Sequence, residues 1–291
     1  MTLRDTLQQL GESAEEARWA PLRRLAAVTA LTRLEADRFE RANWWRGPLL
    51  YTLVQRLRPR HILEVGAGHG YGALCMAQAS VDGGWTATVW TIDRLAPTTP
   101  QRCVVDEENG PRCLRMSVAE LWAQYVPAAL SQRVRWLTGD SRSVMTAWRT
   151  DGRPAVEFCF LDASHDYWSV KHDFVAALGV AAAGCTFLFD DYTARPRFGV
   201  RRLIDHEVAP RLPAGTVEIL NCGVQIPVGH RRSTEHQMAW VQGDAIGHEP
   251  LAQFYSDQQV QHLKWQYAAL QLQRRTLTQI KQWLRVDARA S

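Results

Sequence analysis

His61-Ile62-Leu63-Glu64-Val65-Gly66-Ala67-Gly68-His69-Gly70-Tyr71-Gly72 decides the fold. It reads as a short apolar strand, a glycine-rich turn and the start of a helix, which continues from about Ala73 to Ala79. Glycine lets a backbone turn sharply and approach a ligand where a Cβ would clash. The helix aims its free N–H groups and positive dipole end at the turn, which favours a ligand bearing a carboxylate or phosphate.

Two ligand readings compete. The dinucleotide pattern G-x-G-x-x-G/A fits Gly68, Gly70 and Ala73, but it falls two residues late after the strand. The pattern (D/E)-x-G-x-G-x-G fits Glu64, Gly66, Gly68 and Gly70 and resembles motif I of the class I S-adenosylmethionine-dependent methyltransferases. A tight turn that binds nothing is the plain alternative. The neighbouring strand ends must decide.

Composition narrows the field. With 291 residues, 46% of them hydrophobic, the chain can bury one large α/β core. The net charge of +4 comes from scattered arginines, because lysine occurs only at 171, 264 and 281. No basic run points to nucleic acid. Six cysteines lie far apart without a C-x-x-C, and Cys75, Cys159 and Cys185 sit in apolar stretches as reduced core residues. Cys103 and Cys113 flank a polar segment where a pairing is the less favoured reading. The N-terminus has no apolar signal region, and the longest apolar run, 175–189, is too short for a bilayer and holds two glycines. A cytoplasmic protein without membrane partners is expected.

Working outward, residues 1–58 form an N-terminal segment whose apolar spacing (Leu22, Leu25, Ala26, Thr29, Leu31, Leu34, Phe39) predicts helices. Asn43 is placed to cap a helix reaching Leu57. Trp44 and Trp45 read as core under the sheet, or as one side of a cofactor cleft. From 59 to 230 strands (61–65, 87–92, 133–138, 156–161, 184–189) alternate with helices (near 70–80, 141–149, 166–180, 197–209). Each strand is apolar enough to be buried on both faces, as in a doubly wound, mostly parallel sheet. Such sheets bind ligands at the carboxyl ends of their strands. Residues 216–220 and 224–228 flank Asn221-Cys222-Gly223 as an antiparallel hairpin. The insert 94–132 reads as a proline-rich loop, then a helix from Ser117 to Tyr125 capped by Ser117 and Glu120. Residues 229–248 read as a mobile polar loop. The tail, about 250–286, is a glutamine-rich helix with Leu263, Leu270, Leu277 and Leu284 in one stripe. That stripe suits packing on its own domain or a helix-to-helix contact in a homodimer, for which the N-terminal helices are the other candidate surface. The domains are therefore 1–58, 59–230 and 231–291.

The strand ends carry the chemistry. Asp93 closes the second strand, where a carboxylate can accept both ribose hydroxyls. The third ends Thr138-Gly139-Asp140-Ser141, the fourth Leu161-Asp162-Ala163-Ser164-His165-Asp166-Tyr167, the fifth Phe189-Asp190-Asp191-Tyr192. Asp93 and Asp140 also read as plain helix caps. Asp162, Asp190 and Asp191 converge at the mouth of adjacent strands. Unpaired they would repel one another until one took up a proton. A hard cation such as Mg²⁺, Mn²⁺ or Ca²⁺ relieves that conflict, as do capping and loop hydrogen bonds.

Asp162-Ala163-Ser164-His165-Asp166-Tyr167 with Asp190-Asp191 resembles the metal-dependent class I O-methyltransferases, which include the catechol and caffeoyl-coenzyme A enzymes and bacterial enzymes that methylate sugars of macrolides and aminocoumarins. The resemblance covers 59–228 and implies a Rossmann-like, seven-stranded methyltransferase fold. It implies that Glu64, Gly66, Gly68, Gly70, Asp93, Asp140, Ser141 and Asp162 hold S-adenosylmethionine, with Asp140 at the adenine. It further implies that Asp162, Asp190 and Asp191 hold the metal and that His165 is the base. Histidine there is closer to the sugar-type branch. The expected activity is O-methylation of a small molecule with vicinal hydroxyls, a sugar or phenol of secondary metabolism. A metal-free or nitrogen-directed methyltransferase, a non-catalytic cofactor-binding scaffold and a dinucleotide oxidoreductase remain as alternatives. His172 and Lys171 read as surface residues or supports of the site, and His69 as a solvated loop residue.

Overall fold

The computed structural model describes residues 2–11, 19–33, 39–41, 44–195, 198–228 and 232–290. Helices α1 (Leu3–Gln9) and α2 (Ala20–Thr29) come first. Two short strands follow, β1 (Leu31–Arg33) and β2 (Phe39–Arg41), paired antiparallel. The helical spacing expected through Leu31 and Phe39 is thus broken, and Leu34 and Asn43 fall outside the described residues. Helix α3 (Arg46–Leu57) ends at Arg58, whose left-handed φ of 49° turns the chain into β3 (His61–Val65).

The alternation then proceeds as α4 (Tyr71–Asp82), β4 (Thr88–Asp93), a hairpin of β5 (Gln101–Glu107) and β6 (Gly110–Met116), α5 (Val118–Tyr125), α6 (Ala128–Ser131), β7 (Val134–Thr138), α7 (Ser141–Thr146), β8 (Val156–Leu161), α8 (Tyr167–Leu178) and β9 (Ala181–Phe189). Next come α9 (Val200–Leu203), which runs on into single π and 3₁₀ turns, β10 (Val217–Val228), β11 (Arg232–Val241), α10 (Pro250–Phe254) and α11 (Asp257–Ala290). Seven strands form one sheet in the order β10-β11-β9-β8-β3-β4-β7. The five central and edge strands from β9 to β7 are parallel, and β11 and β10 add on antiparallel. This is the doubly wound, mostly parallel sheet read from the sequence.

Alternation along the strands separates two cores. Ile62, Phe158, Phe160 and Leu188 pack with Leu49, Leu53, Leu74 and Met76 on one face. Leu63, Val65, Cys159, Leu161, Phe187 and Phe189 pack with Phe174, Leu178 and Leu203 on the other. Each such side chain contributes about 1.5–3 kcal/mol of burial, which is why these strands carry unbroken apolar runs.

Three expectations are corrected. The first half of the insert is the β5–β6 hairpin, whose turn is closed by Glu107 opposite Gly110. Its Asn109-Gly110 pair is a hairpin signal. The hairpin expected at 216–228 is one long strand, irregular between Asn221 and Gln225, and its partner is β11. Residues 232–241 are therefore sheet, not polar loop, and the domain boundary placed at 230 cuts a strand pair. All six cysteines are free thiols, Cys103 and Cys113 included. In the tail, Leu263 is buried in the second core and Leu270 is half-buried, so the stripe begins by packing on its own domain. The side chains of Leu277 and Leu284 lie outside the described residues. Among the described residues no helix is long and apolar enough to cross a membrane.

Candidate active site

The carboxyl ends of β3, β4, β7, β8 and β9 open on one cavity of about 610 Å³. Its wall includes Glu64, Gly66, Gly68, Asp93, Gly139, Ser141, Asp162, His165 and Asp191. Gly66 (φ 99°), Gly68 (φ 54°) and Gly70 (φ 90°) hold left-handed conformations that residues with side chains rarely adopt. A Cβ on Gly66 would run into the Asp162 backbone, and one on Gly70 into the Trp122 ring. The turn is thus pressed between β8 and the insert, and Trp122 Nε1 donates to the His69 carbonyl (2.9 Å). His69 is half-buried beside Cys103, where burial lowers its pKa; it is not a solvated loop residue.

Asp93 fastens the same turn. Its Oδ2 accepts from the Ala67 and Gly68 N–H groups (both 3.2 Å) and its Oδ1 from Leu95 N–H (2.9 Å). Glu64 is 1% exposed, and burial pushes its carboxyl up to about 7 although Thr91 donates to it. Ser141 donates to Asp173 Oδ1 (2.5 Å), another buried acid raised to about 7, chiefly by desolvation. Asp140 is the N-cap residue of α7 but makes no side-chain cap bond; its Oδ2 accepts from the Tyr267 hydroxyl, and Arg94 stands 3.6 Å away.

At the other end lie the three aspartates. Their charges are already met by side chains. Arg46, the first residue of α3, places Nη1 2.5 Å from Asp162 Oδ2 and pairs through Nη2 with Asp190 Oδ2. The other Asp190 oxygen faces His236 Nε2 at 2.8 Å. Burial alone would raise Asp190, but Arg46 and the His236 hydrogen bond hold it well below the usual carboxylate range. Burial raises Asp162, with Arg46 opposing and the neighbouring acids adding. Asp191 has a left-handed φ of 57°, tolerated by aspartate better than by most residues, and this turns its Oδ2 to within 2.5 Å of His165 Nδ1. That hydrogen bond raises the His165 pKa, against partial burial. The imidazole stacks on Phe198 with ring centroids 4.8 Å apart.

An ion held by Asp162, Asp190 and Asp191 together does not fit this arrangement. Both Asp190 oxygens are spent on Arg46 and His236, and the guanidinium bridges the two acids that an ion would have to bridge. Among the described residues two smaller sets bring ligand atoms within 4.8 Å of one another: Asp162, His165 and Asp191, and Asp190, Asp191 and His236.

Arg46 and His236 escaped the sequence reading. His236 lies in the stretch taken for a loop, yet His236, Met238 and Trp240 alternate as buried residues of one strand face. Arg46 stands beside two tryptophans at the head of an apolar helix, an isolated charge in an otherwise buried turn. His172 is 1% exposed, so it is a core residue; burial first, then Arg142 and Lys171, lower its pKa to about 4. Lys171 pairs with Glu207 at 2.7 Å, away from the cavity. Trp45 is buried and packs 5.2 Å from the ring of His236, the residue that faces Asp190.

Residues 63–192 match the family model described as a methyltransferase domain. No curated protein matches the chain. Solved structures that resemble it include an O-methyltransferase from Bacillus cereus in complex with SAH, at 18% identity and a TM-score of 0.45, covering 82% of this chain and 90% of that one. The O-methyltransferase TomG from Streptomyces achromogenes, involved in tomaymycin synthesis and solved with SAM, shows 19% identity and a TM-score of 0.44, over 71% and 83% of the two chains. An O-methyltransferase described as a candidate from Klebsiella pneumoniae shows 19% identity and a TM-score of 0.43, over 82% and 88%.

Proposed function

With residues 63–192 a methyltransferase domain, we propose that the chain transfers the methyl group of S-adenosylmethionine to a hydroxyl of a small molecule, a sugar or phenol, with His165 as base. The observation that carries the oxygen assignment is the Asp191–His165 pair at the cavity wall. The bound cofactor supplies an electrophilic sulfonium methyl. A neutral hydroxyl attacks it poorly, so a base must take the proton as the bond forms. Asp191 holds Nδ1, which leaves Nε2 to accept that proton, and the aspartate then stabilises the imidazolium.

The cofactor reading draws on the rest of the wall. A cavity of about 610 Å³ suits a nucleoside with an amino-acid arm. The glycine turn brings backbone without side chains against it, and Glu64 supplies a buried acid to face the cofactor's positive charges. Asp93 and Ser141 stand at neighbouring strand ends.

Arg46 is the resident cation of the cluster. It neutralises Asp162 and Asp190, holds the β8 and β9 ends together and keeps Asp191 free to orient His165. On this reading the chemistry proceeds without a divalent ion. A second reading has one observation in its favour: Asp162, His165 and Asp191 are close enough to share a hard cation. His165 would then be a ligand and could not act as the base.

The test is methyl transfer from S-adenosylmethionine to a panel of sugars and phenols, in chelator and in Mg²⁺, for the native chain and His165→Ala. Transfer that survives chelation and falls by about 10²–10⁴ in the variant is expected. Transfer abolished by chelation, with Mg²⁺ binding to the native chain by calorimetry, would replace the first reading with the second.

A further inference from the structure

We propose that Tyr267, on the tail helix α11, is a positioning residue for the nucleoside end of the cofactor cavity, so that cofactor binding and docking of the tail are coupled. The proposal rests on the cofactor reading above and goes beyond it, because nothing in the methyltransferase domain match reaches the tail.

Three contacts fix the ring. Its hydroxyl donates to Asp140 Oδ2, 127 residues away in the chain. The Arg142 guanidinium lies 3.6 Å from the ring centroid, and the His172 ring packs edge-on at 4.9 Å. Asp140, Arg142 and His172 all belong to the β7–α7 turn and to α8, elements that border the cavity. Tyr267 itself lines that cavity, together with Gly139, Ser141 and Asp173. One turn earlier, Leu263 is 4% exposed and seated in the core below α8, which anchors this part of α11. Trp265 is 76% exposed and faces away, so the contact is made by one face of the helix.

The chemistry suits a nucleobase. A phenol ring offers flat apolar surface, and its hydroxyl engages the Asp140 carboxylate, which makes no side-chain cap bond to α7. The ring thereby stands in the cavity wall, held from behind by the β7–α7 turn. The tail supplies the ring, so a tail that undocks takes part of the nucleoside site with it. Conversely, a nucleoside seated against the ring holds the tail in place, since coupling between two binding events is reciprocal.

The experiment uses the full chain and S-adenosylhomocysteine. Calorimetry is run on the native chain, Tyr267→Phe and Tyr267→Ala, with circular dichroism melting to establish that each is folded. Hydrogen exchange on the native chain is read with and without S-adenosylhomocysteine, and with adenosine alone. Expected are a loss of affinity on the order of tenfold for the alanine variant, a smaller loss for phenylalanine, and slower exchange at residues 258–268 with either ligand. Unchanged affinity in a folded Tyr267→Ala chain, or unchanged exchange at 258–268 in the ligand-bound native chain, overturns the proposal. The exchange measurement needs no variant, so it decides even if Tyr267→Ala does not fold. A native chain that binds neither ligand overturns the cofactor reading instead.

Discussion

Replacing Arg46 with methionine keeps most of the side chain's length and removes its charge. In the native chain the guanidinium is 12% exposed and touches two carboxylates that are 9% and 1% exposed. Removing one partner of a buried ion pair costs about 3–5 kcal/mol, because the other charge is left uncompensated. The cost depends on pH with a definite sign. Asp190 is held well below its usual range, so in the native chain it contributes stability that is present above the unfolded carboxylate pKa and lost as pH falls. Without Arg46, burial pushes Asp190 and Asp162 upward together. Groups raised in the folded state lose stability as pH rises, so the variant is hurt more at pH 8 than at pH 6. At roughly 2–4 °C per kcal/mol for a chain of this class, the melting temperature at pH 8 drops by on the order of 10 °C. The assay is thermal melting by circular dichroism in chelator at both pH values, repeated with Mg²⁺. An ion able to take the guanidinium's place raises the variant's melting temperature and leaves the native chain unmoved. A variant that melts within a degree of the native chain at pH 8, or a native chain stabilised by Mg²⁺ as strongly as the variant, would refute the role given to Arg46.

Three further outcomes are expected. Glu64→Gln flattens the pH dependence of stability: the native carboxyl, raised to about 7 by burial, contributes stability below about pH 4.5 that is lost by pH 7, about 3 kcal/mol in all, readable by urea unfolding of the cofactor-free chain at pH 5 and pH 8. Asp191→Asn removes the hydrogen bond that raises His165, so the alkaline rise of the methyl-transfer rate moves to lower pH while its plateau falls; an unmoved pH profile would mean that another group is the base. Gly70→Ala forces a Cβ into Trp122 at a φ of 90° and weakens S-adenosylhomocysteine binding at least tenfold by calorimetry, whereas Gly215→Ala, on an open turn far along the chain, leaves it unchanged.

The sheet was legible because its signals are local. Ile62-Leu63 and Phe158-Cys159-Phe160-Leu161 are apolar on both faces, and each strand ends in a glycine or an acid. The β10–β11 pair was not legible in register. The Asn221-Cys222-Gly223 turn signal is absorbed as an irregularity in one strand, and the true partner begins only at Arg232. The carboxylates of the site were legible as strand ends, but what neutralises them was not. Arg46 arrives from 116 residues before Asp162, and His236 from 45 residues after Asp191, through packing that no spacing rule encodes. Tyr267 shows the same limit, since its contact with Asp140, 127 residues away, depends on where the tail docks.

The most direct test of the account is calorimetric titration of S-adenosylhomocysteine, in chelator, into the native chain and Asp93→Ala. One site per native chain is expected without added metal, with weaker binding in the variant, whose glycine turn has lost the carboxylate that accepts from Ala67 and Gly68. No binding to a folded native chain, with or without Mg²⁺, would contradict it.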